Sequence, residues 1–158
     1  MSRETSITID DLNNSDSLIF KQTIADQRVF IIHRLRKIRN RYLDDEMGCV
    51  GNKETIVKHL NNGPAQNLVH AFFNYKMDKC ILCNGCKGTN GIRQIERAHY
   101  NKFSTTPRET LLLEAINELY VDDTTPVKSG VILKRFIQKH DNIPIYKLCN
   151  LCHNKYDN

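Results

Sequence analysis

Two short stretches of the sequence concentrate residue types that bind metal ions. The first, "CILCNGCKG", places Cys80 and Cys83 two residues apart, and the second, "CNLCHNKYDN", repeats that gap with Cys149 and Cys152. Such a gap lets neighbouring thiolates bind one tetrahedral ion in a tight turn. An ion held by all four thiolates would close a long loop and leave no coordination position open for catalysis. The spacing therefore predicts a structural Zn²⁺ site.

A third nearby cysteine leaves one alternative open. Cys86 extends the first cluster to CxxCxxC and could replace Cys80 or Cys83 as a ligand. We prefer the outer pair because "NGCKGTNG" is typical of a turn-rich loop that leaves the metal-binding turn. Metal binding is favoured over disulfides because no secretion signal is recognised and the compartment is expected to be reducing.

Residues beside the two clusters could hold a second, catalytic ion. If a helix begins at Asn150 or Leu151, His153 and Asp157 lie four residues apart on one face, a spacing suited to two ligands of one divalent ion. His99, in "ERAHYN", follows a stretch with strand character just beyond the first cluster. A strand histidine facing a metal held by a helix would form a hydrolytic site.

The pattern "CxxC … ERAH … LCNLCHNKYD" resembles that of the HNH, or ββα-metal, nucleases, over about residues 79–158. The resemblance implies two antiparallel strands and a helix around one Mg²⁺ or Mn²⁺ ion, buttressed by zinc on two CxxC pairs. It also implies that His99 is the general base and that His153 and Asp157 are ligands of the catalytic ion.

Two positions depart from the family pattern. Ala98 stands where these enzymes usually have a metal-binding His or Asp, and Glu96, on the same side of an extended strand, is the nearest replacement ligand. The resemblance assigns the middle asparagine of the motif to Asn142, which would orient the base or its loop. Asn101 and Asn150 remain alternatives for that position.

Helical periodicity dominates the N-terminal half of the chain. Apolar residues recur at helical spacing from Ser15 or Ser17 to about Leu43 without Pro or Gly, which predicts one long helix. Two shorter helices are predicted over about residues 53–60 and 65–75, with "NNGP" as a break between them.

The C-terminal half is predicted to combine the strands with a helical insert. Strands at "ERAH" and "IPIYKLC" flank an insert at about residues 104–141, in which "TPRETLLLEAINELYVDD" and "KSGVILKRFIQKHD" each form a helix. The expected fold class is therefore α+β, mainly α. Residues 1–78 are expected to form a helical N-terminal region, and residues 79–158 a zinc-bound nuclease domain.

Charge points to an anionic partner. The chain carries a formal net charge of +5, and "HRLRKIRNR" surrounds the long helix with cations. These cations are predicted to contact DNA phosphates, although a solvated helix face is the plainer alternative. They are Arg34, Arg36, Lys37, Arg39 and Arg41.

The combined prediction is a metal-dependent endonuclease acting on double-stranded DNA, with restriction as the favoured role. One alternative is a non-catalytic zinc-stabilised DNA-binding module; another is an HNH nuclease with a repair, resolvase or homing role. Cutting both strands with one site per chain favours a homodimer. An intracellular location is expected, without membrane insertion, because no long apolar run is present.

Overall fold

The structure, a computed structural model, describes residues 6–73, 77–100 and 107–158. Its helices and strands are, in chain order, α1 (Ile9–Asn13), α2 (Leu18–Lys37), β1 (Gly48–Cys49), α3 (Lys53–Leu60), a π-helical turn (Asn61–Ala65), α4 (Gln66–Phe72), β2 (Ile95–His99), α5 (Pro107–Leu119), β3 (Val127–Lys128), α6 (Ser129–Gln138), a 3₁₀ turn (Lys139–Asn142), β4 (Ile145–Cys149) and α7 (Asn150–Asp157). The fold is α+β and mainly helical, as predicted.

Strands β2 and β4 form an antiparallel pair whose register runs from Ile95 opposite Cys149 to His99 opposite Ile145. Helix α7 begins directly after β4. Cys149, the last residue of β4, is also the N-cap residue of α7. The side chain of Asn150 accepts a hydrogen bond from the backbone N–H of Arg93 at 2.9 Å and so ties the start of α7 to the approach to β2. Strands β1 and β3 form a second pair of two residues each, which the sequence did not predict.

A large apolar core joins the N-terminal helices to the insert. Buried side chains from α2, α3 and α4 pack with those of α5 and α6, and Phe72, Phe73 and Phe136 are among the largest. The two insert helices are confirmed, and their apolar faces cover the N-terminal helices. The core thus draws on residues from both sides of the boundary expected after residue 78.

A smaller core supports the β2–β4 pair and α7. Ala98, Tyr146, Leu148 and Tyr156 are buried together, and Leu12 of α1 closes the cluster. The hydroxyl of Tyr146 donates to the carbonyl of Leu12 at 3.1 Å, which anchors α1 to the strand pair. The N-terminal segment therefore helps to hold the strands that carry the candidate site.

The long N-terminal helix is shorter than expected. It ends at Lys37, with Ile38 in an extended conformation. Asn40 gives a local reason, since its side chain accepts the backbone N–H of Tyr42 at 2.8 Å and favours a turn over further helix. Arg39 and Arg41 consequently lie beyond the helix.

The break expected at "NNGP" is present as a kink between α3 and α4, where Asn62 has non-helical backbone angles. Asn61–Ala65 form the turn between the two helices, and α4 follows at Gln66. Pro64, which has no backbone N–H to donate, lies in this turn. In the described part of the chain no helix combines the length and apolar character needed to cross a membrane.

Candidate functional site

Four cysteines from the two CxxC pairs converge at one point. The sulfurs of Cys80, Cys83, Cys149 and Cys152 all lie within 4.8 Å of one another, and those of Cys83 and Cys149 are 3.9 Å apart. A tetrahedral Zn²⁺ with Zn–S bonds of about 2.3 Å places its sulfurs about 3.8 Å apart. The four side chains therefore fit a structural metal such as zinc.

Local backbone geometry aims the sulfurs inward. The N–H of Gly85 points to the sulfur of Cys83 at 3.4 Å, and the N–H of Cys152 points to that of Cys149 at 3.3 Å. The backbone N–H of Ile81 donates to the carbonyl of Lys147 at 2.8 Å, which joins the first turn to β4. Gly85 is closely packed, because a Cβ there would clash with the end of the Ile92 side chain and press on the sulfur of Cys83.

The thiols perturb one another's ionisation. Burial and the neighbouring thiols raise the pKa of Cys83 and, more strongly, of Cys152. Burial opposes ionisation of Cys80 as well, but backbone N–H groups around its sulfur lower its pKa overall. Because close thiolates repel one another, four of them need a bound cation to ionise together.

The structure separates Cys86 from this cluster. The backbone N–H of Cys86 donates to the hydroxyl of Thr89 at 3.2 Å, and its carbonyl accepts the proton of that hydroxyl. Cys86 thus belongs to the turn that follows the metal-binding loop. The outer pair, Cys80 and Cys83, is the pair that meets Cys149 and Cys152.

The candidate ligands Glu96, His153 and Asp157 form a second cluster beside the cysteines. Nδ1 of His153 lies 2.9 Å from a carboxylate oxygen of Glu96, and Nε2 of the same ring lies 3.2 Å from an oxygen of Asp157. All three side chains are partly exposed. The two carboxylates therefore approach opposite nitrogens of one imidazole. In this arrangement an ion bound at Nε2 of His153 could also bind Asp157, but Glu96 would be out of its reach.

Ala98 shares the sheet face of Glu96 but is fully buried and offers no ligand atom. Polar space opens instead beside His153, in a cavity of about 360 Å³. Its lining residues are Gln66, His70, Gln94, Ile95, Glu96, Arg97 and His153. A larger cavity of about 530 Å³ lies between α5 and the end of α6 and contains none of the candidate ligands.

His99 lies on the other face of β2, because side chains three residues apart along a strand point to opposite sides. The structure does not bring it into contact with His153. Its Nε2 instead lies 3.1 Å from Nε2 of His140. Burial lowers the pKa of His99 well below 6.5, with His140 and Arg108 adding to the effect. His99 is consequently neutral at neutral pH.

Asn142, the predicted partner of the base, is placed elsewhere. Its side-chain oxygen accepts a hydrogen bond from the guanidinium of Arg28 on α2. Of its alternatives, Asn150 holds the start of α7 to the approach to β2, and Asn101 lies outside the described residues. The residue that does contact His99 is His140, which was not among the predicted site residues.

One signal in the sequence could have identified His140. The buried stripe of α6 contains Ile132, Leu133, Phe136 and Ile137, and the next position on that stripe is His140. A side chain on an apolar stripe is expected to face the core, and a buried polar side chain is usually hydrogen-bonded. His140 is indeed fully buried.

The basic segment splits into two groups. Arg34 is partly buried, donates to the carbonyl of Ala71 at 2.7 Å and packs over Phe30, so it holds α2 to α4. The other four cations, Arg36, Lys37, Arg39 and Arg41, are exposed, and Arg41 folds over the ring of Tyr42. This exposed group is the part of the segment available to a partner.

The fold and the cysteine cluster together define a mainly helical α+β protein with a site suited to a structural metal such as zinc. Comparison of the chain with protein-family models, with curated proteins and with solved structures gives no significant match. Any further functional assignment therefore depends on the geometry of the side chains.

Proposed function

We propose that this protein is an HNH-type endonuclease that hydrolyses DNA phosphodiester bonds with the help of a divalent ion, and that it serves as a restriction enzyme. The observation that supports this best is the pairing of His153 and Asp157 on α7. Their Nε2 and carboxylate oxygen are 3.2 Å apart, and His153 lies near enough to His99, across β2, to contribute to lowering the pKa of His99. The cysteine cluster at the start of α7 would fix the helix that presents them.

The side chains fit a small divalent ion. Neighbouring ligands of an octahedral Mg²⁺, each about 2.1 Å from the ion, lie about 3.0 Å apart. His153 Nε2 and Asp157 would then be the protein ligands. Glu96, at Nδ1 of the same ring, would accept the Nδ1 proton and direct the lone pair of Nε2 toward the ion. In this proposal Glu96 orients a ligand rather than being one.

When bound, the ion would supply Lewis-acid stabilisation of the phosphate and of the leaving 3′-oxygen. Neutral His99 would take the proton from the attacking water, since its lowered pKa keeps the ring unprotonated and able to accept at neutral pH. The exposed cations at the end of α2 would bind phosphates flanking the cut. Asn150 and the cysteine cluster would keep the strands and α7 in register around the substrate.

A second candidate is a zinc-stabilised DNA-binding module without catalysis. It is favoured by Ala98, whose fully buried methyl group provides no third ligand on the strand. In this case the three polar side chains around His153 would form only an ion-pair cluster that stabilises α7.

We expect the zinc-loaded protein to convert supercoiled plasmid to nicked and linear DNA in Mg²⁺ or Mn²⁺, and to be inactive without either ion. The measurement is gel electrophoresis over time, with His153→Ala as the inactive control. Discrete fragments ending at one sequence support the restriction role, whereas cuts at many sequences assign the nuclease another role. Tight DNA binding without cleavage in either ion would favour the second candidate.

We also expect Arg36→Glu/Arg39→Glu to weaken binding to DNA of any sequence. Each lost phosphate contact lowers the slope of log affinity against log salt by about 0.9. The matched control is Lys21→Glu/Lys58→Glu, which makes the same charge change at exposed sites outside the basic segment. Fluorescence anisotropy at several salt concentrations measures the slope. Equal slopes for the two variants would show that the basic segment is a solvated surface.

A further inference from the structure

Two histidines from distant parts of the chain meet on the face of β2 that turns away from α7. His99 ends β2 and His140 lies in the 3₁₀ turn after α6, and their Nε2 atoms are 3.1 Å apart. A hydrogen bond between two imidazole nitrogens contains one proton, so one ring must donate and the other must accept. The direction of this bond decides which nitrogen of His99 carries a proton.

The second nitrogen of His140 settles the direction. Its Nδ1 lies 2.9 Å from the carbonyl oxygen of Phe136, and a carbonyl only accepts, so Nδ1 of His140 carries a proton. Burial lowers the pKa of His140 to about 4, so the ring is neutral and has no second proton. Its Nε2 is therefore an acceptor, and the donor of the shared bond is Nε2 of His99.

The same bond defines the free nitrogen of His99. A neutral imidazole with its proton on Nε2 has its lone pair on Nδ1. Among the residues that the structure describes, none forms a hydrogen bond with Nδ1 of His99, and the residue as a whole is only partly buried. Nδ1 is thus the nitrogen through which His99 can accept a proton from water.

His140 is held rigidly enough to orient a neighbour. Its ring packs edge-on against Phe136, with centroids 4.8 Å apart, and lies 5.2 Å from the ring of Phe73. The buried side-chain amide of Gln27 donates a hydrogen bond to the backbone carbonyl of His140 at 2.5 Å. The same amide accepts a hydrogen bond from the backbone N–H of Ile145 at 2.9 Å. Helix α2 thereby fixes both the 3₁₀ turn and the start of β4, opposite His99.

We propose that His140 is the positioning residue of the general base: it accepts the Nε2 proton of His99, holds that ring in one tautomer and orientation, and so makes Nδ1 the catalytic nitrogen. This inference rests on the proposed nuclease function and extends it. In this proposal His140 has the role of the third residue of a catalytic triad, which orients the base through a hydrogen bond. Here the orienting group is neutral, because burial among aromatic rings excludes a charge.

The test uses two substitutions at His140 with opposite chemistry. His140→Phe keeps an aromatic ring among Phe73 and Phe136 but removes the acceptor, whereas His140→Gln loses the ring and retains a carbonyl oxygen that can accept from His99. If the role of His140 is purely structural, His140→Phe should lower the cleavage rate less than His140→Gln. If His140 positions His99, His140→Gln should lower the rate less. We expect kcat for plasmid cleavage to fall about 10- to 100-fold in His140→Phe and only a few-fold in His140→Gln, with KM unchanged in both.

A spectroscopic readout separates this inference from the nuclease proposal. Long-range ¹H–¹⁵N correlation spectra of the zinc-loaded wild-type protein, with ¹⁵N-labelled histidine, report the tautomer of each ring. We expect His99 to be protonated at Nε2 and His140 at Nδ1, and His140→Phe to abolish the single tautomer of His99. Zinc content and thermal unfolding confirm that the variants are folded.

Three results would overturn the inference. One is an Nδ1-protonated His99 in the wild-type spectra, which can be read even if His140→Phe fails to fold. Another is a His140→Phe variant that cleaves as fast as wild type, or faster than His140→Gln. The third is a wild-type protein with the expected tautomers that cleaves no DNA, which removes the nuclease proposal and the catalytic role of His140 but leaves the hydrogen-bond direction intact.

Discussion

Replacing Cys149 with Ser is expected to leave the protein unfolded or insoluble. Cys149 ends β4, caps α7 and contributes one of the four clustered sulfurs. Structural zinc typically contributes about 10–16 kcal/mol of apparent binding free energy. A domain of this kind has only about 5–15 kcal/mol of total stability. Loss of the ion should therefore exceed what the apolar cores can offset.

Elemental analysis and thermal unfolding measure this effect. Wild-type protein should contain about one Zn per chain and unfold cooperatively. Cys86→Ser is the matched control, since Cys86 lies in the same loop but outside the cluster, and it should retain both zinc and stability. A soluble Cys149→Ser variant that melts at the wild-type temperature without zinc would contradict the metal assignment.

The cysteine cluster could be predicted from sequence because its geometry is mostly local. Two residues between thiols are enough to form each half of the site. The only long-range condition is that the halves meet, and the pairing of β2 with β4 achieves this by placing Ile95 opposite Cys149. Cys86 could be set aside for a similar local reason, because "NGCKGTNG" is rich in turn residues.

The helices were predictable where burial and propensity agree, and less so at their ends. Helices α3, α5 and α6 follow the periodicity of their apolar residues. The end of α2 coincides instead with local interactions that compete with further helix, such as the hydrogen bond from the N–H of Tyr42 to the side chain of Asn40. No periodicity reports such a competition.

The arrangement around the two candidate histidines could not be predicted, because it depends on packing between distant segments. Spacing indicated that His153 and Asp157 share a helix face, and they do. It could not show that Glu96 would reach the opposite nitrogen of that ring, since this depends on the seating of α7 against β2. The contact between His99 and His140 likewise depends on the core that joins the insert to α2.

We expect His99→Ala to lose cleavage while binding DNA and Mn²⁺ almost as well as wild type. A general base acts in the transition state, so its removal lowers kcat, typically about 100- to 10,000-fold, without weakening ground-state binding. The position of His99, on the sheet face opposite Glu96, agrees with a group that is not a ligand of an ion at His153. Binding can be measured by titrating Mn²⁺ into zinc-loaded protein and by anisotropy with labelled DNA.

Substitutions around His153 should behave differently from His99→Ala. His153→Ala and Asp157→Asn remove ligand atoms, so they should lose metal affinity together with activity, and excess Mn²⁺ should restore part of the rate. Glu96→Gln keeps the size of the side chain but weakens the hydrogen bond to Nδ1 of His153. A change of this kind typically weakens metal binding about 10- to 100-fold. If Glu96 instead binds the ion directly, Glu96→Gln should lose as much metal affinity as Asp157→Asn.

The decisive comparison is therefore between metal affinity and rate across the same set of proteins. If His99→Ala loses Mn²⁺ binding while Asp157→Asn retains both the ion and the rate, then the ion lies on the His99 face of the sheet. The strand histidine would in that case be a ligand, and His140, 3.1 Å from it, would become the nearest candidate for a second ligand. The roles assigned to His99, His140 and His153 would then be wrong, even if metal-dependent cleavage itself were observed.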